Sequence, residues 1–223
     1  MQLLNDKYGF EKIVVPFVDT NCYVLSCGKE ALLIDAGGDG SEITSYMKNN
    51  ELKLTNVLIT HGHYDHIEAL DNILKEFKDV KIFASINEKV LINDKNKSLM
   101  DHELETTTQN AITYLEDNAE FKIFDLDIKM INTPGHTAGC VCYYLSSLNI
   151  LFSGDTLFKD TYGRTDLPTS NTKDIVISIS KKLMELPDDT KVYPGHGRDT
   201  TIGYERENSE IMRDYVINWA INK

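Results

Sequence analysis

The chain has 223 residues, 41% of them hydrophobic, and a formal net charge of −12 with a pI near 4.9. That length and apolar content predict a single domain over 1–223 with a sizeable core. The acidity argues against a nucleic-acid or anionic-membrane partner, because phosphate is met by clustered Lys and Arg. Near the N-terminus, Asp6, Lys7, Glu11 and Lys12 stand where a secretion signal needs an apolar core. No apolar run approaches the ~18 residues of a membrane span. A cytoplasmic location is therefore expected. The four cysteines, Cys22, Cys27, Cys140 and Cys142, are too few for a disulfide scaffold and read as structural thiols, the last two on one face of a strand.

In chain order, Ile13 to Leu25 reads as two short strands and a turn, and Ala31 to Ala36 as a buried strand ending at Gly37-Gly38. Ser41 to Asn49 reads as a helix with Ile43, Tyr46 and Met47 inward, and 55–60 as a strand. Apolar spacing at Ile67, Leu70, Ile73, Leu74 and Phe77 predicts one helix over 66–77. A strand at 81–84 and a helix near 86–92 follow. Residues 93–118 are polar, with weak helical periodicity at 108–116, and are expected to form a cap or lid; His102 there reads as a solvated loop histidine. Strands return at 121–124, 128–132, 140–145 and 150–152. A helix over 172–186 stops at Pro187, 191–193 is a strand, and a last helix over about 205–221 presents Ile211, Tyr215, Val216 and Trp219. The alternation predicts an α/β layered fold of two mixed sheets with helices outside.

The chemistry concentrates in Thr60-His61-Gly62-His63-Tyr64-Asp65-His66, three of the six histidines and a carboxylate within six positions. The cluster lies between a strand end and a helix start, where side chains can converge, and Gly62 suits a tight turn there. Neutral imidazole with carboxylate is a ligand set for zinc, iron or manganese. His136 in Thr133-Pro134-Gly135-His136, Asp155 in Ser153-Gly154-Asp155-Thr156 and His196 in Pro194-Gly195-His196-Gly197 each follow a predicted strand and adjoin glycine. Their coincidence points to one metal site.

The set His-x-His-x-Asp-His followed by His, Asp and His at successive strand ends resembles the metallo-β-lactamase fold hydrolases over residues 31–203. The resemblance implies an αββα four-layer sandwich and two divalent ions, most readily zinc, with iron or manganese as the other metals such ligands accept. By that pattern His61, His63 and His136 would hold one ion, Asp65, His66 and His196 the second, and Asp155 would bridge. Asp35 matches a position that supports the histidine loop. True β-lactamases carry Cys or Ser where Asp155 stands, flavodiiron proteins carry Glu at His63, and the nuclease members add nucleic-acid-binding elements that a charge of −12 does not suggest.

Ser153-Gly154-Asp155-Thr156-Leu157-Phe158 through Gly163-Arg164-Thr165-Asp166, with Thr200-Thr201-Ile202-Gly203-Tyr204-Glu205-Arg206-Glu207, is similar to the glyoxalase II-like group in its short bacterial form. That similarity implies hydrolysis of a thioester such as S-lactoylglutathione or a related acyl-thiol by a dimetal-bound hydroxide, with Asp65 accepting a proton. Arg164 falls where glyoxalase II binds the thiol portion. The aromatic usually found two residues later is Asp166 here, so an Arg164–Asp166 ion pair that stiffens the loop is an equal reading. The partner is then a small molecule. The other activities compatible with these motifs are a persulfide dioxygenase using one iron on His61, His136 and Asp155, and a lactonase. Oligomeric state is left open.

Overall fold

A computed structural model of the chain describes residues 2–221, except the side chains of Gln2, Asp214 and Tyr215. Two compact units divide it, the first running to Leu115 and the second from Glu116.

The first unit contains β1 (Gln2–Leu3), β2 (Tyr8–Val15), β3 (Thr20–Cys27), β4 (Glu30–Ile34), α1 (Ser41–Asn49), β5 (Lys53–Leu58), α2 (Tyr64–Ile67), α3 (Leu70–Glu76), β6 (Lys81–Ser85), α4 (Lys89–Ile92), α5 (Lys95–Ser98), α6 (Thr106–Ala111) and β7 (Ile112–Leu115). Its strands pair in sequence order. The meander β1 to β4 is antiparallel, whereas β4, β5, β6 and β7 run parallel. Strand alternation sends Cys22, Val24, Leu33, Val57 and Ile82 to one side, where Ile43 and Met47 of α1 and Leu70 and Ile73 of α3 pack on them. The alternate residues Tyr23, Leu25, Leu32, Ile34 and Leu58 are buried as well, so both faces are covered. Such near-continuous apolar strands are what a parallel sheet requires, and each Leu or Ile so enclosed contributes roughly 1.5–3 kcal/mol. Parallel order places the C-terminal ends of β4 and β5 side by side. Asp35 follows the first and the histidine loop follows the second, and Asp35 N–H donates to Leu58 O at 2.9 Å.

The second unit contains β8 (Glu120–Ile123), β9 (Leu126–Asn132), β10 (Val141–Leu145), β11 (Ile150–Gly154), β12 (Leu157–Phe158), β13 (Thr161–Tyr162), α7 (Thr172–Lys181), β14 (Lys191–Pro194), β15 (Thr200–Thr201), α8 (Ile202–Asn208) and α9 (Asp214–Ile221). Its main sheet has the order β15-β14-β11-β10-β9-β8, and β12 and β13 form a separate hairpin. Asn171 caps α7 by accepting from the N–H groups of Lys173 and Asp174 at 2.9 and 3.2 Å. Ile175, Val176 and Ile179 of this helix pack on Cys142, Leu151 and Val192 of the sheet. Because β10 is antiparallel to both β9 and β11, and β11 is parallel to β14, the C-terminal ends of β9, β11 and β14 share one edge. His136, Asp155 and His196 lie in the loops that leave those three ends. Gly195 N–H donates to Gly154 O at 2.8 Å, tying two of the loops together.

Several elements differ from the sequence reading. The helix over 66–77 is two pieces, because Ala69 N–H turns to Ala36 O at 2.9 Å across the chain. Residues 108–116 are helical only to Ala111 and then pair as β7 with β6, and Met100, Leu104 and Ile112 enter the first unit's core. The last helix is interrupted at Ser209, whose ψ of 133° is extended. Trp219 is 41% exposed, and Ile211 and Ala220 hold the buried positions instead; the Tyr215 side chain lies outside the described residues. The four cysteines are free thiols. Among the described residues no helix is long and apolar enough to cross a membrane.

Candidate metal centre

In the first unit the histidine loop is held from behind by one carboxylate. Asp35 sits in the left-handed region (φ 59°), a conformation Asp tolerates better than most residues, and its side chain turns under the loop. Its Oδ1 accepts Thr60 N–H, and its Oδ2 accepts Thr60 Oγ1–H and His66 Nδ1–H, all at 2.8 Å. With its hydrogen given to Asp35, Thr60 Oγ1 can only accept from His61 Nδ1, 3.2 Å away. In both rings the proton is therefore on Nδ1, and Nε2 is the metal-ligating nitrogen. His66 O accepts Ala36 N–H at 2.8 Å, which fixes the backbone of the loop. Thr20 Oγ1 donates to Asp65 Oδ2 at 2.8 Å. His61, His63 and His66 are buried, and Asp65 is half-buried.

A second acid supports the loop at its tip. Glu88, buried at the end of a 3₁₀ turn, accepts Gly62 N–H on Oε2 at 2.7 Å. Gly62 is needed for space: a Cβ there would come within 2.6 Å of Ile92 and 2.7 Å of Leu91.

In the second unit His136 Nδ1 donates to the carbonyl of Arg164 at 2.8 Å, which again turns Nε2 toward the metal side. Ser170 Oγ donates to His136 O at 2.7 Å. The Arg164 carbonyl reaches the ring because Gly163 lies against Asp155, whose carbonyl oxygen would be 1.9 Å from a Cβ at 163. Asp155 Oδ2 lies 3.5 Å from His136 Nε2 and 3.4 Å from His196 Nε2.

These separations discriminate between two readings. A charge-assisted hydrogen bond closes to about 2.7–2.9 Å. Two donors sharing a tetrahedral ion at 2.0–2.2 Å are instead about 3.3–3.6 Å apart. The imidazole–carboxylate distances of 3.5 and 3.4 Å at Asp155, and of 3.3 Å between His66 Nε2 and Asp65 Oδ2, fall in the second range. Within the first unit the ligand atom of His61 lies within 4.8 Å of those of His63 and His66, and that of Asp65 within 4.8 Å of that of His66; within the second, Asp155 faces both His136 and His196. The donor set therefore fits divalent metal, borderline between zinc and iron in its nitrogen and oxygen chemistry. The thiol of Cys22, which accepts Gly37 N–H at 3.3 Å, is no candidate ligand: burial pushes it up to about 12.

Arg164 is paired within its own loop. Its guanidinium forms a two-pronged pair with Asp166 at 2.7 Å on each prong, and both side chains are exposed. Its backbone carbonyl, by contrast, orients His136. Neither that carbonyl nor Glu88 stands out in the sequence. A carbonyl belongs to every residue, and Glu88 meets Gly62 across 26 positions with no shared motif.

Imidazoles and carboxylates at strand ends, with rings locked from behind by an acid or a carbonyl, are the makings of a divalent-metal centre. The chain belongs to the metallo-beta-lactamase superfamily, whose family model matches residues 15–196. It is 34% identical over 202 residues to a probable metallo-hydrolase, YqgX, of Bacillus subtilis, covering 90% of this chain and 95% of that protein. It is 32% identical over 215 residues to the hydroxyacylglutathione hydrolase GloC of Haemophilus influenzae, covering 92% and 98%. Among solved structures it is similar to the BLEG-1 B3 metallo-beta-lactamase, with TM-score 0.83 and 32% identity over 92% of this chain and 99% of that one. It is also similar to TTHA1623 in a di-iron-bound form, with TM-score 0.79 and 26% identity over 90% and 98%. The α/β fold is thus that of the metallo-beta-lactamase superfamily.

Proposed function

We propose that the chain hydrolyses a thioester of a small molecule at a centre of two divalent ions. His61, His63 and His136 would hold one ion and Asp65, His66 and His196 the other, with Asp155 available to both. The observation that carries this reading is Asp155 Oδ2, placed 3.5 and 3.4 Å from two imidazoles that the pattern assigns to different ions. Bound divalent metal would supply hydroxide at neutral pH by lowering the pKa of water to about 7, and would polarise the substrate carbonyl. Zinc is the ion of choice for this donor set, with iron the alternative suggested by the di-iron relative.

The chain's own groups do the rest. Asp35 and the Arg164 carbonyl keep Nδ1 of His66 and His136 protonated, so each ring presents Nε2. Thr20 steadies the Asp65 carboxylate, which accepts the remaining proton of the attacking hydroxide as the C–S bond breaks. The hydroxide oxygen bonds to the acyl carbon, the C–S bond breaks, and the sulfur leaves as a thiolate. With a thiol pKa of about 8.5 that departure needs no proton donor. Asp35 and Glu88, the acids that hold the histidine loop from behind, are committed to Thr60 and His66 and to Gly62, so a leaving group that needs no proton from them suits this site.

Two measurements test the reading: metal content per chain, and thiol release from S-lactoylglutathione and simpler acyl-thiols. About two ions per chain with thioester cleavage are expected, and Asp155→Ala should abolish cleavage and lower metal content. Full activity in that variant, or one iron with no cleavage, would sink the two-metal hydrolase.

A further inference from the structure

A cleft of about 490 Å³ opens in the first unit beside Asp65, within the size range of small-molecule sites. Its apolar lining includes Phe17, Val18 and Leu99, exposed at 92, 42 and 40%. Large apolar side chains left in water around a recess mark a binding surface more often than a scattered surface leucine does. Phe17 and Leu99 also sit in the left-handed backbone region, at φ 80° and 64°. Non-glycine residues held there cluster at ligand clamps.

The polar part of the lining has one sign. Glu68 and Asp101 line the cleft with Asp65, and none of the described lining residues is Lys or Arg. Aromatic rings, here Phe17 and Tyr64, together with the carboxylates of Glu68 and Asp101, attract an organic cation at the end of the cleft away from Asp65.

We propose that this cleft binds the non-reacting portion of the substrate, and that this portion is apolar and carries a positively charged amine. Phe17 packs against it, and Glu68 and Asp101 select its charge. This rests on the thioester hydrolase reading above. It also gives a physical reason why glutathione, with its two carboxylates, is not the preferred thiol.

The test pairs binding with turnover. Metal-loaded protein is titrated calorimetrically with two uncleavable thioethers, S-benzylcysteamine, which is cationic, and S-benzylglutathione, which is net anionic. kcat/KM is measured for the S-benzoyl thioesters of thiocholine, a cationic thiol whose quaternary nitrogen cannot take up the acyl group, and of glutathione. The cationic conjugate should bind at least about tenfold tighter and the cationic thioester should have the higher kcat/KM. Glu68→Gln with Asp101→Asn should bring the two affinities to within about threefold, and Phe17→Ala should weaken the cationic ligand by about tenfold. Equal or tighter binding of the glutathione conjugate, or no binding of either, overturns the proposal. A cationic preference in binding with no thioester turnover would sink the hydrolase reading and leave the cleft assignment standing. Turnover with the glutathione ester favoured would sink only the cleft.

Discussion

Asp35 accepts three hydrogen bonds with one side chain and, through them, sets the protonation of two metal-facing rings. Asn in its place keeps the shape but presents an NH₂ to Thr60 Oγ1–H or His66 Nδ1–H, so a donor faces a donor. Asp35→Asn is expected to weaken metal binding about 10–100-fold, measured by competition with a chromophoric chelator. An unchanged affinity would show that His66 needs no acid behind it. At this scale much was legible from the sequence. The candidate ligands could be picked out because each is a His or Asp in a glycine-flanked loop after an apolar strand, and Asp35 because it ends one. Glu88 and the Arg164 carbonyl were not, since their roles arise from contacts the fold creates between distant positions. Gly62 was legible for the wrong cause: its neighbours Leu91 and Ile92 leave no room for a Cβ, and it has no positive φ to accommodate.

Between residue and fold lie the elements, and here apolar spacing misleads where a loop diverts a backbone bond. The break after Ile67 exists because Ala36 and Ala69 bond each other, and that same bond holds the ligand loop. β7 carries alternating Ile112 and Tyr114 in a run too short to announce itself against a helical period. The β12–β13 hairpin offers an element-scale prediction. Glu205, in the first turn of α8, is fully buried and accepts Asp160 N–H on both oxygens, at 3.2 and 3.1 Å, and Thr200 Oγ1–H at 2.6 Å. Burial outweighs these bonds and raises its pKa above 4.5. The folded state thus binds the proton more tightly than the unfolded chain. The stability from this group is fully present below the unfolded value and is lost as pH rises through the folded one. Glu205→Gln should therefore gain stability relative to the parent as pH is raised from 4.5 to 7, read as the difference in denaturant midpoints. A difference constant with pH would show Glu205 to be unperturbed.

For the molecule as a whole, the sequence carries the two mixed sheets in its strand and helix alternation, and the family in its ligand string. The split of the chain near Leu115 has no counterpart in composition or linker chemistry. A bound ion stabilises the folded chain by mass action, about 2.7 kcal/mol at a hundredfold excess over Kd. For a chain of this length that is roughly 5–10 °C in Tm. Stripping with a chelator should lower Tm by that order, and zinc should restore it. A Tm indifferent to chelation would mean that the ligand side chains hold no ion in the folded protein.

The supports of the ligands are distributed in a way that bears on descent. His66 and its acid Asp35 both precede Leu115, and His136 and the carbonyl of Arg164 both follow it. A crossover between two related genes at that junction hands down each imidazole with the group that orients it, whereas a crossover inside either unit can separate them. Hybrids joined at 115/116 inherit the Asp35–His66 and Arg164–His136 contacts each from a single parent, which makes that junction the natural place to shuffle this family.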